Sequence, residues 1–206
     1  MTTTTPKSAH HPATRINSIC VYCGSKVGNE PKFQKLAATL GTTLAQNNIR
    51  LVYGGGSIGL MGIIARATLS AGGNVTGVIP GHLDRVEISQ DGLTELHVVP
   101  NMHIRKRKMF DLSDAFVILP GSIGTLDETI EVITWAQLNL HDKPIILVNV
   151  DNYWQPFLDL LEHIIGKGFM TESTLDLFHV INDIETLLPT LNTLPSPQID
   201  PKNTLF

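Results

Sequence analysis

From Ile16 onward, short runs rich in β-branched and aromatic residues alternate with longer segments whose apolar residues recur every three or four positions. Few folds accept that alternation. The strand candidates are Ser18–Cys23, Arg50–Tyr53, Asn74–Ile79, Glu95–Val99, Ala115–Leu119, Pro144–Val148 and Phe178–Ile181. Helical periodicity covers Lys32–Gln46, Leu60–Ala71, Ile104–Leu112, Leu126–Leu138 and Trp154–Ile165 between them. A helix between successive strands returns the chain to the same end of the sheet, so the strands run parallel and the helices cover both faces. The sequence therefore predicts an α/β fold, a single Rossmann-like, doubly wound domain with a mostly parallel sheet flanked by helices. A chain of 206 residues with 42% hydrophobic content suits one such domain. Its body is expected over 16–191. A disordered tail rich in Thr, Pro and His is expected over 1–15, and an extended tail with three prolines over 192–206.

Several classes of function are disfavoured. A net charge of -4 with 15 Lys+Arg offers no broad cationic surface for nucleic acid. Residues 1–15 lack the apolar stretch of a secretory signal, and no apolar run approaches the ~20 residues needed to span a bilayer. With no membrane partner and two unpaired cysteines, the expected location is the cytoplasm. Cys20 and Cys23 have a C-x-x-C spacing, but on a strand residues three apart face opposite sides, so core roles are expected and neither a bridge nor a metal site.

Three strand ends carry unusual turns: Cys23-Gly24-Ser25-Lys26, the run from Gly54 to Gly62, and Pro120-Gly121-Ser122-Ile123-Gly124-Thr125-Leu126-Asp127-Glu128. Parallel strands bring these turns to one edge, where backbone N–H groups and helix N-termini receive anions. Gly54, Gly56 and Gly59 match G-x-G-x-x-G, but the match follows the second strand, and the next strand ends Ile79-Pro80-Gly81 without a ribose-binding acid. That argues against a dinucleotide, and taken alone the run serves equally as a tight strand-to-helix turn. The long connection from Pro80 to Thr94 is expected to shape a ligand site. In Met102-His103-Ile104-Arg105-Lys106-Arg107-Lys108, Arg105 is placed to fork onto a carboxylate or phosphate, Lys106 is a second candidate, and Lys108 reads as solvated. Glu128 is expected in the first turn of its helix, kept ionised by the helix dipole. Asp127 and Glu131 are equally eligible acids by spacing.

Together these four motifs resemble the LOG family, the cytokinin riboside 5′-monophosphate phosphoribohydrolases often mislabelled lysine decarboxylases. The resemblance runs from about Ile16 to Leu191 and rests on motif order and spacing. One departure is Ser122, where the family has a second glycine. The resemblance implies a homodimer, no cofactor and no metal. It implies a catalytic pair, Arg105 and Glu128, with substrate contacts on Lys106, Gly121, Ser122, Ile123, Gly124, Thr125, Leu126, Asp127 and Thr134, and on Glu87 in the insertion. Ser25, Gly54, Gly55, Gly56, Gly59, Met61 and Met102 complete the candidate substrate-binding set. The implied reaction is hydrolysis of the N-glycosidic bond of a nucleoside 5′-monophosphate, cytokinin riboside monophosphate or AMP, to free base and ribose 5-phosphate. A carboxylate suits it, stabilising an oxocarbenium-like state and directing water. Amino-acid decarboxylation would need an electron sink such as PLP on a Schiff-base lysine. The alternative is a non-catalytic nucleotide or molybdopterin-cofactor carrier of the same fold. Apolar Ile130, Ile133, Trp135 and Leu138 on one helix fit either a dimer contact or burial within the monomer.

Overall fold

The computed structural model describes residues 16–83 and 90–199. Glu87 and the segments 1–15 and 200–206 lie outside the described residues. The strands are β1 Ser18–Tyr22, β2 Arg50–Tyr53, β3 Val75–Pro80, β4 Glu95–Val99, β5 Ala115–Ile118, β6 Ile145–Val148 and β7 His179–Ile181. The helices are α1 Pro31–Gln46, α2 Gly59–Ser70, a three-residue turn α3 Gly81–Leu83, α4 Met102–Asp111, α5 Ile123–Gln137, α6 Gln155–Gly166 and α7 Leu187–Thr193. The strands form one seven-stranded sheet in the order β4-β3-β2-β1-β5-β6-β7, and every adjacent pair is parallel. The expected α/β architecture is the one observed.

Alternation along β1 divides the core. Ile19, Val21 and Cys23 face a cluster built with α1, α2 and α7, while Cys20 and Tyr22 face a second cluster with α4, α5 and α6. The two cysteines thus sit on opposite sides of the sheet, both free and buried. Helix α1 starts with Pro31 in its first turn, where a missing N–H costs nothing. It buries Phe33, Leu36, Ala37, Leu40 and Leu44, a stripe at helical spacing.

Three boundaries differ from the sequence expectation. Helix α5 begins at Ile123, three residues early, because Ser122 is its N-cap and its Oγ accepts from the Ile123 N–H at 2.6 Å. Helix α4 begins at Met102, where Asn101 Oδ1 accepts from the Ile104 N–H at 3.0 Å. The expected tail from Asn192 is still helical to Thr193, since α7 holds Pro189 in its first turn and buries Leu187 and Leu191. Among the described residues, no helix is long and apolar enough to cross a membrane.

Candidate functional site

The strand order reverses direction between β1 and β5, so their carboxyl ends flank the crevice where open α/β sheets bind ligands. Backbone hydrogen bonds join the three glycine turns there. Gly24 N–H donates to the Pro120 carbonyl at 3.0 Å, and Leu60 N–H donates to the Gly24 carbonyl at 3.0 Å. Gly59, at φ +59°, lies against the Ser25 backbone so closely that a Cβ would overlap it.

A cleft of about 130 Å³ opens at this junction. It brings together Ser25, Met61, Met102, Arg105, Ser122, Gly124, Thr125, Asp127 and Glu128, with Cys23 and Gly24. Arg105 is 8% exposed and spends its guanidinium on the protein. Nη1 meets Glu128 Oε1 at 3.1 Å, Nε donates to the Val78 carbonyl at 3.1 Å, and Nη2 donates to the Gly54 carbonyl at 3.3 Å. A Cβ at Gly54 would overlap that guanidinium, so the glycine makes room for Arg105.

Glu128 is 8% exposed. Its place in the second turn of α5 corrects the expectation of a first-turn acid kept ionised by the dipole, whose influence fades beyond the first turn. Burial pushes the carboxyl up to about 7, although Arg105 pulls the other way. The structure also sorts the three eligible acids. Lys106 Nζ pairs with Asp127 Oδ2 at 3.0 Å and Glu131 Oε2 at 3.2 Å, leaving Glu128 to Arg105. Burial works to lower Lys106, but its two carboxylates hold the ammonium above its ordinary range. The Cys23 thiol is pushed far up by burial, so it stays protonated.

Other candidates stand apart from the cleft. Gly55 and Gly56 are buried behind it, where the Gly55 carbonyl accepts from the Gln90 N–H at 3.1 Å. Leu126 packs against the core. Ile123 is 77% exposed, and Thr134 shares its exposed face of α5 with Asp127, Ile130 and Leu138. Gly121 lines an adjoining recess that motif reading missed, with Val27, Phe33 and Tyr153. The Tyr153 hydroxyl donates to the Gly121 carbonyl at 2.6 Å. No local pattern marks Phe33 or Tyr153, which only the topology brings beside the glycine turns. Among the described residues, no group of His, Cys, Asp and Glu is placed to hold a metal.

Residues 61–191 match a family described as "Possible lysine decarboxylase". Over 186 residues the chain is 44% identical to a cytokinin riboside 5′-monophosphate phosphoribohydrolase of Rhodococcoides fascians, spanning 90% of this chain and 93% of that protein. The chain belongs to the LOG family. A LOG relative of the same name from Arabidopsis thaliana is 48% identical over 77% of this chain and 74% of its own. The LOG fold extends to more distant proteins. The Moco carrier protein of Chlamydomonas reinhardtii superposes with a TM-score of 0.65 at 21% identity, over 86% of this chain and 96% of its own. The molybdenum cofactor binding protein of Rippkaea orientalis gives 0.66 at 19% identity, over 88% and 98%. At such identities the likeness to this LOG-family chain is one of fold alone.

Proposed function

We propose that the chain hydrolyses the N-glycosidic bond of nucleoside 5′-monophosphates, cytokinin riboside 5′-monophosphates among them, releasing an adenine-type base and ribose 5-phosphate. The observation that carries this reading is the buried Arg105–Glu128 pair, 3.1 Å apart, on the wall of a glycine-bordered cleft. Relatives 44% and 48% identical that bear the phosphoribohydrolase name support it.

In this mechanism the free N–H groups at the start of α5, around Gly124 and Thr125, receive the 5′-phosphate. The bond between the anomeric carbon and the base nitrogen breaks with its electron pair leaving on the base. Glu128 stabilises the positive charge that develops on the sugar and takes a proton from the attacking water. The hydroxyl ends on the anomeric carbon, and the departing base nitrogen gains a proton. A carboxyl at about 7 is matched to this task, because it is partly ionised near neutrality and basic enough to accept the proton. Arg105 acts as a positioning residue, its own geometry fixed by the Val78 and Gly54 carbonyls. Lys106, tied to two carboxylates, holds Asp127 at the rim. Its charged state is unsuited to the neutral amine a Schiff base requires, which argues against the decarboxylase description.

The enzyme is proposed to act in the cytoplasm as a homodimer. The exposed stripe Ile123, Ile130 and Leu138 on α5 supports the dimer, and Thr134 would then sit at the interface. The test of function is incubation of the purified chain with AMP and with isopentenyl-adenosine monophosphate, followed by chromatography of base and ribose 5-phosphate. Catalytic release of both products is expected from at least one nucleotide. Quantitative recovery of bound but intact nucleotide from both would favour the carrier reading instead.

A further inference from the structure

The cleft holding Arg105 and Glu128 encloses about 130 Å³, whereas small-molecule sites run to roughly 300–1,000 Å³. A nucleoside monophosphate placed with its anomeric carbon at Glu128 therefore extends past the cleft. A second recess of about 310 Å³ lies alongside, and Gly24, Ser25 and Ser122 border both. The two sit on either side of the β1/β5 switch point. The cleft is walled by α4 and α5, the recess by α1 and the segment after β6.

The far wall of this recess is apolar and held in place. Phe33 lies against Gly28, whose φ is +77° and where a Cβ would stand 2.9 Å from the ring. The Phe33 ring also meets Tyr153 edge to face, with centroids 5.5 Å apart. The Tyr153 hydroxyl is committed to the Gly121 carbonyl, so its ring is what remains for a ligand. Val27 and Leu60 complete the wall. A purine buried against such a wall would leave ring nitrogens and an amine without partners, at a cost that an alkyl or alkenyl group does not incur.

We propose that this recess is the subsite for an apolar substituent carried on the leaving base, such as an alkenyl group on the exocyclic nitrogen of adenine, and that Val27, Phe33 and Tyr153 set the preference for substituted over plain adenine nucleotides. The proposal rests on the phosphoribohydrolase reading above. Hydrolysis leaves the substituent unchanged, so the recess acts through binding alone and its effect is read in the ratio of kcat/KM for two substrates.

The experiment measures kcat/KM for isopentenyl-adenosine monophosphate and for AMP with the wild-type chain, Phe33→Ala and Val27→Asp, each checked by thermal melting. Phe33 belongs to the core at 8% exposure, whereas Val27 is 39% exposed, so Val27→Asp tests the recess without depending on core packing. The wild type is expected to prefer the isopentenyl substrate, and that preference to fall about tenfold or more in both variants. An unchanged ratio in the folded variants, or no wild-type preference, overturns the subsite while leaving the hydrolase reading standing. Release of base from neither substrate by the wild type sinks the hydrolase reading and the subsite with it.

Discussion

Glu128 concentrates the chemistry of the molecule because burial and a fixed cation act on it in opposite directions. Desolvation raises the carboxyl to about 7 and Arg105 limits the rise. If the ionised form accepts the proton from water, kcat/KM falls as pH drops below about 7, giving an acid limb that a pH series will locate. Arg105→Met removes the opposing charge, so the limb should move to higher pH; a limb that stays in place, or moves down, contradicts the pairing. Stability follows the sign of the same shift. A carboxyl raised in the folded state contributes stability that is fully present below its ordinary value of 4.5 and is lost as pH rises through about 7. The residue types were legible in the motifs, but this protonation balance was not. Helix-dipole reasoning predicted an ionised acid, and only the enclosure of the side chain reverses it.

At the scale of elements, the site depends on where two helices start. Asn101 caps α4, and four residues later Arg105 leaves that helix for the cleft. Asn101→Ala is expected to cost about 1 kcal/mol in a denaturant melt and to raise KM as Arg105 loosens. A variant with wild-type stability and kinetics would show that the cap does not position the site. Ser122 caps α5 at the position where the sequence departs from the family glycine. Because glycine is nearly as good a cap, Ser122→Gly should change stability by only a few tenths of a kcal/mol. All seven strands were readable because each is a short apolar run between turn residues, and parallel strands buried on both faces keep that character. The start of α5 was missed because Ser122-Ile123-Gly124-Thr125 reads as a loop until its cap is seen. Helix α7 was missed because Pro189 looks like a breaker, although its place in the first turn makes it harmless.

On the scale of the whole molecule, the parallel order β4-β3-β2-β1-β5-β6-β7 brings distant glycine turns, Arg105 and Glu128 to one edge. The aromatic recess was illegible for the same reason, since Phe33 and Tyr153 meet only through this topology. The dimer expectation also separates into parts here. Ile133 is buried at 9% and Trp135 packs against the monomer's core, while Ile130 and Leu138 are 51% and 62% exposed. If α5 forms the contact, the wild type sediments as a dimer at micromolar concentration and Leu138→Asp shifts it toward monomer. A monomeric wild type would contradict that. Whether the molecule turns its ligand over or carries it is tested most directly by comparing wild type with Glu128→Gln on isopentenyl-adenosine monophosphate, with nucleotide binding measured in parallel. The account predicts base release slower by roughly 10²–10⁴-fold in the variant with binding retained, whereas release at the wild-type rate from folded Glu128→Gln would contradict it.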